Sequence, residues 1–152
     1  MIKGKVIAVC ASPERGAGKH RVSEGVLIEG MGLSGDAHFG FRRRQVSLLS
    51  YERILAADAD LDIDAAPGDF AENITTLGMN LSLVRLGSEA IIGTAKIRIL
   101  ERGKPEHGPG DYSFQGVALL AKEGLFAEVI ESGCVAEGDD IVFLEIPNGR
   151  DD

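Results

Sequence analysis

Three stretches of this 152-residue chain concentrate side chains able to bind or move charge. The run Gly35-Asp36-Ala37-His38-Phe39-Gly40-Phe41-Arg42-Arg43-Arg44-Gln45 places a carboxylate, an imidazole and three guanidiniums on a glycine-framed loop that leads into an apolar strand. Arginine keeps its charge at physiological pH and presents a planar fork of N–H donors suited to bidentate phosphate recognition. Alternation at the strand entry sends Arg42 and Arg44 to one side and Arg43 to the other. The run Gly68-Asp69-Phe70-Ala71-Glu72-Asn73-Ile74-Thr75 sets an acid and two neutral hydrogen-bonding groups, Asn73 and Thr75, among apolar neighbours. Glu72 so placed needs a partner, which Arg44 or His38 can supply, or it stays protonated. The run Gly103-Lys104-Pro105-Glu106-His107-Gly108-Pro109-Gly110-Asp111 puts a cation, a carboxylate and an imidazole on a rigid loop, where sites commonly form.

The elements that must position these groups are short and mostly extended. β-Branched and apolar runs separated by turn glycines predict strands over 6–9, 26–28, 45–49, 70–75, 89–92, 95–100 and 140–146. Residues 95–101 alternate apolar and polar, so one face is buried and the other wet. Many short strands with glycine turns point to a barrel or sandwich and away from a parallel βαβ sheet. Two helices interrupt the series. Ser50 caps one over 51–57, with Glu52 in its first turn. A second is expected over about 122–132, where Leu125, Phe126, Val129 and Ile130 share a stripe and Gly133 provides a stop. The Asp58-to-Asp64 stretch reads as an acidic surface connection. The length and lack of a dividing linker predict a single domain over 1–152.

Charge limits the partners. The net charge is −8, which argues against nucleic-acid binding. Residues 1–50 hold eight basic and four acidic side chains, a net of +4, and the remainder eight and twenty, a net of −12. A basic first third on an acidic protein suits a small anionic ligand. No apolar run is long enough for a membrane helix and no signal peptide is evident, so a cytoplasmic protein that does not engage membranes is expected, as monomer or homodimer. Cys10 and Cys134 make no disulfide framework or Cys-x-x-Cys motif, and each reads as a small buried hydrophobe.

Two phosphate-loop look-alikes fail. Gly16-Ala17-Gly18-Lys19-His20 has Pro13 where the first P-loop glycine belongs and His20 in place of the Ser/Thr, so it reads as a flexible loop. Gly30-Met31-Gly32-Leu33-Ser34-Gly35 is not followed by a helix and reads as a tight turn. Asp58 to Asp69 lacks the glycine and closing Glu of a calcium loop.

Taken together, Gly35-Asp36-Ala37-His38, Arg44-Gln45-Val46-Ser47-Leu48-Leu49 and Gly68-Asp69-Phe70-Ala71-Glu72-Asn73-Ile74-Thr75, in that order and spacing, resemble the MOSC domain. This module occurs at the C-terminus of molybdenum-cofactor sulfurases and as small free-standing bacterial proteins. The resemblance implies a closed or partly open, mostly antiparallel β-barrel with a few short helices. It also implies a role around the pterin-based molybdenum cofactor (molybdopterin): binding it, or passing sulfur to it or to another metal centre. A molybdoenzyme or a sulfur donor protein is then the implied partner. Carried over onto this chain, Asp36, His38, Arg42, Arg44, Glu72, Asn73, Thr75 and Lys104 become candidate cofactor-binding residues. Glu106 and His107 become candidate catalytic residues, with Glu106 also the candidate metal ligand. The pyridoxal-phosphate domain that accompanies the module in sulfurases is not expected here.

One departure bears on chemistry. The family pattern usually follows Gly-Lys with a cysteine directly before a histidine, the supposed sulfur carrier or molybdenum ligand; here Glu106 precedes His107. A carboxylate forms no persulfide, and oxygen is a harder ligand than sulfur. Leu120-Ala121 also replaces the family's proline step, and the stretch from Gly108 to Gly116 looks rebuilt. Three functions follow as alternatives. One is a cofactor-binding module without covalent sulfur chemistry. Another is a sulfur-transfer or molybdenum-dependent reductase enzyme. The last is an unrelated anion-binding or metal-assisted hydrolytic barrel using Asp36, His38, Glu106 and His107. All require the three stretches to meet in one pocket at an end of the barrel.

Overall fold

A computed structural model describes residues 1–105, 108 and 110–144. The strands are β1 (Ile2–Ala11), β2 (His20–Arg21), β3 (Glu24–Ile28), β4 (Gly32–Leu33), β5 (Val46–Ser50), β6 (Ile74–Leu77), β7 (Glu89–Ile92), β8 (Ala95–Arg102), β9 (Leu125–Glu131), β10 (Gly133–Ala136) and β11 (Asp140–Phe143). The helices are α1 (Tyr51–Leu61) and α2 (Leu119–Glu123). Seven strands close a barrel in the order β1-β6-β5-β9-β8-β7-β11, with β11 returning to pair with β1. Closure leaves the barrel no free edge. A three-stranded sheet, β10-β3-β4, lies beside it.

Every pairing in the barrel is antiparallel except β5 with β6, where Leu48, Leu49 and Ser50 run alongside Ile74, Thr75 and Thr76. A parallel pair needs a crossover, and here it is α1 together with residues 62–73. Ser50 caps α1 by accepting from the Arg53 N–H. The helix runs on to Leu61 before Asp62 ends it in a left-handed turn, so much of the expected acidic connection is helical. The Asp58 carboxylate then accepts from the Ala65 N–H and folds the chain back.

Inside the barrel, Val6, Val46, Leu48, Ile74, Ile97, Ile99, Leu125, Ala127 and Val129 belong to one buried cluster. A second cluster outside the wall joins Leu49 to Ile54 of α1, Phe70 and Leu119 of α2. The split follows strand periodicity: Val46 and Leu48 point inward, while Ser47 and Leu49 point outward.

Two expectations from sequence are corrected. Residues 125–131 form strand β9, not a helix. Leu125 and Val129 are four apart, a spacing that serves a helical stripe and an alternating strand equally. Ala127, buried between them, completes the period of two, and β5 and β8 supply hydrogen bonds on both sides. The segment expected as a strand over 70–75 is a turn as far as Ala71, with β6 beginning at Ile74. Ala71 there adopts φ +69°, which extended pairing excludes. Of the expected strand over 140–146, residues 145 and 146 lie outside the described residues.

Leu48 is fully buried and pairs on both sides of the wall. Leu48→Ala is expected to lower the unfolding free energy by about 2–5 kcal/mol, read from urea denaturation midpoints at unchanged slope.

Candidate functional site

Parallel pairing brings the starts of β5 and β6 to the same end of the wall. The segments that lead into them, 35–45 and 68–73, therefore arrive side by side. Strand β9 carries Phe126 opposite Ser47, and β8 carries Glu101 opposite Phe126. Ser47, Phe126 and Glu101 thus form a row on the outward face of three adjacent strands. Above this row lies a cavity of about 400 Å³, whose lining includes Arg15, His38, Arg44, Asn73, Lys104 and Tyr112. Its lining joins the outward-facing wall residues Ser47 and Phe126 to loop residues that include Arg15, His38, Lys104 and Tyr112, while the barrel interior is filled with apolar side chains.

Asp36 anchors one side of the cavity from beneath. Its carboxylate accepts from the Lys19 ammonium at 2.7 Å, the Ser12 N–H at 3.1 Å and the His38 N–H at 3.1 Å. The His38 Nδ1 lies 3.3 Å from its second oxygen. Burial works most strongly against ionisation of Asp36. The hydrogen bonds from His38 and Lys19, and the charge of Lys19, outweigh it and hold the carboxyl far below the usual range. An ionised acid at Nδ1 favours the proton there and leaves Nε2 for a ligand, an orienting role that carboxylates commonly play toward imidazoles. Phe41 packs edge-on to His38 with ring centres 4.7 Å apart, fixing the ring further.

Lys19 was expected in a flexible loop. Its side chain is instead 1% exposed and paired with a fully buried carboxylate. A glycine distant in sequence lets the Lys19 backbone pack closely: Gly68 has φ +91°, and a Cβ there would lie 2.4 Å from the Lys19 carbonyl oxygen. The Lys19 N–H also donates to the Gly68 carbonyl at 2.8 Å, locking this loop against the 68–73 turn.

That turn is held from inside by Glu72 and Asn73. Glu72 is fully buried, and its Oε2 accepts from the Gly68 N–H at 2.9 Å and the Thr75 hydroxyl at 2.8 Å. Its other oxygen has no hydrogen-bond partner among the described residues, and burial pushes its carboxyl up despite the hydrogen bonds from Gly68 and Thr75. Neither Arg44 nor His38 reaches it. Asn73 Oδ1 accepts from the Ser47 N–H and hydroxyl, and Nδ2 donates to the Cys10 carbonyl. Its amide therefore ties β5 to β1 while lining the cavity. Ala71, whose left-handed backbone costs about 1–2 kcal/mol, presents its carbonyl to the Ser47 hydroxyl. Stored backbone strain of this kind concentrates where a fold over-determines a site.

The remaining wall is cationic and aromatic. Arg44 donates from Nε to Glu101 at 2.7 Å, and its guanidinium carbon lies 5.5 Å from the centre of the Phe126 ring. Arg43 also approaches Glu101, at 3.4 Å, while Arg42 is exposed and does not line the cavity. Strand alternation does not sort the three because residues 42–45 form a bend, and β5 starts at Val46. Lys104 faces Asp111 at 3.7 Å. Tyr112 closes the far side by donating its hydroxyl to the Asp69 carbonyl at 2.7 Å.

Of the residues singled out from sequence, His38, Arg44, Asn73 and Lys104 line the cavity, whereas Asp36, Glu72 and Thr75 are buried behind it. Glu106 and His107 lie outside the described residues. Arg15, Ser47, Asp111, Tyr112 and Phe126 also line it without having been proposed. Ser47 lay within a quoted motif, but only its outward direction on β5 gives it this position. Among the described residues, no three His, Cys, Asp or Glu side chains gather as a metal site. Cys10 is buried on β1, where desolvation above all pushes its thiol up to about 12. Such a thiol is a poor nucleophile at neutral pH. Cys134 sits on β10 and does not line the cavity.

Two outcomes follow. Lys19→Met leaves a buried carboxylate short of its counter-ion and is expected to cost about 3–5 kcal/mol at pH 7. The lowered Asp36 pKa contributes stability that is complete above about pH 4 and is lost as pH falls toward the folded-state value. The variant's denaturation midpoint should therefore also fall less steeply below pH 4 than that of the wild type. Glu72 has the opposite sign. Its raised pKa imposes a penalty that begins above about pH 4.3 and grows until the folded-state value is passed. Glu72→Gln should match the wild type in acid and become progressively more stable than it as pH rises; a constant difference across pH would contradict this.

Comparison with known proteins agrees with this architecture. No curated protein matches the chain significantly. The crystal structure of the YuaD protein from Bacillus subtilis superposes with a TM-score of 0.74 at 20% identity, over 93% of this chain and 97% of that one. YiiM from Escherichia coli superposes at 0.68 with 24% identity, over 93% of this chain and 70% of that one. YiiM from Geobacillus stearothermophilus does so at 0.69 with 16% identity, over 93% and 75%. These likenesses establish a shared fold. Residues 34–142, which span the Asp36 anchor, the 68–73 turn and the strands beneath the cavity, match the MOSC domain, and the chain belongs to that family.

Proposed function

We propose that the cavity on the outer wall binds a phosphate-bearing pterin, the organic part of the molybdenum cofactor with which the MOSC family is associated, without covalent sulfur chemistry on the protein. The observation that carries this reading is the lining itself. Among the described residues, its charged lining groups are Arg15, Arg44, Lys104 and Asp111, in a space within the range of small-molecule sites. Arg44 and Lys104 would hold the phosphate, with His38 Nε2 as a further polar contact. Phe126, Leu120 and Tyr112 offer apolar and aromatic surface to a flat heterocycle, while Asn73 and Ser47 offer neutral polar groups beside it.

The donor set fits the anionic and ring portions of such a cofactor. It does not provide a thiol: neither cysteine lines the cavity. When bound, the cofactor would supply a metal centre for oxygen- or sulfur-transfer chemistry. The chain's residues would bind the phosphate, orient the ring and keep His38 in one tautomer through Asp36. We assign this role to the whole chain acting as one unit in the cytoplasm, with a molybdoenzyme or a sulfur donor as the protein it serves.

The test is ligand content and binding. Protein purified from a molybdenum-replete host is expected to carry pterin, detected by fluorescence after oxidation and by mass spectrometry, with molybdenum measured by elemental analysis. Neopterin monophosphate should bind the purified protein, and Arg44→Ala should weaken it by about tenfold or more. Absence of pterin in the isolated protein together with no titratable binding would overturn the assignment. A Glu106→Cys variant compared in the same assays would show whether restoring a thiol at that position adds metal or sulfur loading.

A further inference from the structure

The parallel pair that gathers two entry segments at one end of the wall gathers two exits at the other. Strand β5 leaves through Ser50 into α1, and β6 leaves through Gly78 into a 3₁₀ turn at Leu81–Leu83. Between these exits lies a cavity of about 770 Å³. Its lining includes Glu52 and Arg53 of α1, Met79, Asn80 and Ser82 after β6, and Arg102 at the end of β8. Arg102 belongs to the wall itself. It pairs with Leu125, which pairs in turn with Leu48, and both leucines are fully buried. A guanidinium at the end of such a row needs oxygen partners, and it finds the carbonyls of Leu81 and Val84.

The polar groups of this cavity are unevenly supplied with partners. Each oxygen of Glu52 already accepts a hydrogen bond, from the Ser50 hydroxyl at 3.0 Å and the Gly78 N–H at 2.7 Å. Each oxygen of Glu123, also in the lining, accepts one from Arg53, Nε at 2.8 Å and Nη2 at 3.3 Å. The donors are less engaged. Both hydrogen bonds from Arg102 leave its Nη2, so its Nε and Nη1 have no acceptor among the described residues. Asn80 accepts through Oδ1 from the Ser82 N–H and hydroxyl, and its Nδ2 hydrogens have no acceptor among the described residues. A guanidinium and an amide NH2 that line one space suit a ligand with acceptor oxygens, and a carboxylate matches the guanidinium fork. Leu49, Met79 and Leu81 add apolar atoms to the same lining, which a bare inorganic anion would leave uncovered.

We propose that this second cavity binds a small organic acid with an apolar body, its carboxylate on Arg102 and Asn80 and its body against Leu49, Met79 and Leu81. The site stands apart from the pterin cavity: among the described residues the two linings share no member, and they lie at opposite ends of the β5–β6 pair. A cationic ligand would meet two guanidiniums and acids that already hold donors. A neutral analogue of the same shape would keep the apolar contacts and lose the charge-assisted hydrogen bonds.

The experiment titrates octanoate against the full chain while its backbone amides are followed by nuclear magnetic resonance, beside octanamide, acetate and inorganic phosphate. Octanoate is expected to saturate and to shift the amides of Gly78, Asn80 and Ser82 while those of His38 and Tyr112 stay in place. It is expected to bind about tenfold more tightly than each of the other three compounds. Ser82→Trp, which fills the cavity from an exposed position, is expected to abolish that binding. Octanamide binding as well as octanoate would overturn carboxylate recognition, and acetate or phosphate doing so would overturn the apolar body. Shifts that never saturate, or that centre on His38 and Tyr112, would overturn the site itself. These comparisons use the wild-type protein and no pterin, so neither a misfolded Ser82→Trp variant nor failure of the pterin assignment would blunt them.

Discussion

The parallel pairing of β5 with β6 is the constraint from which the site follows. In an otherwise antiparallel barrel, hairpins would carry successive strands in opposite directions and scatter their entry loops to both ends. One parallel pair, bridged by α1, makes two entry segments arrive together. The Asn73 amide then reaches the backbone of both β5 and β1, and the neighbouring carbonyl of Ala71 faces Ser47. The outward row Ser47–Phe126–Glu101 becomes the floor beneath those loops. The cavity is therefore a property of the wall's outer face, with an apolar interior serving only as its support.

Two buried carboxylates hold the loops in place by opposite electrostatic means. Asp36 is ionised in the interior because an ammonium and three N–H groups are aimed at it, and it passes that order on to His38 at the cavity surface. Glu72 has hydrogen bonds but, among the described residues, no counter-ion, so burial favours its neutral form. A carboxyl that is neutral can bridge a backbone N–H and a hydroxyl without the full desolvation penalty of a charge. One acid thus organises the cationic side of the cavity and the other the turn opposite. Mutating either acts on the shape of the site through its supports, without touching a ligand directly.

Among the described residues, cations, aromatic surface and neutral polar groups converge on the cavity, while the thiols do not. Cys10 lies close enough to Glu72 and Gly68 for a Cβ on that glycine to meet its sulfur at 3.0 Å, within a packed region that disfavours thiolate. Sulfur chemistry on a carrier cysteine needs an accessible thiolate, and neither the cavity nor its supports supplies one. Pairing of Arg44 with Glu101 has a further effect: it holds the guanidinium over Phe126, so that charge and aromatic surface are presented together in the cavity lining.

The types and order of the motif residues were enough to indicate a mainly β barrel, its family and the stretches that matter, because glycine turns, alternating strands and clustered arginines leave a local imprint. The cap at Ser50 and the strand at 89–92 are of this local kind. Assignments that depended on neighbours failed. Residues 125–131 satisfy two periodicities, and only the hydrogen-bonding partners on either side choose the strand. Lys19 sits among glycines that suggest flexibility, yet a carboxylate 17 positions away draws it into the interior. Arg42 and Arg44 are indistinguishable by type, and the bend before β5 turns one to solvent and the other to the cavity. Sequence by itself determined which chemical groups were available and the class of fold that carries them. Tertiary structure alone decided which of them meet, because burial, pairing and counter-charge come from residues far apart along the chain.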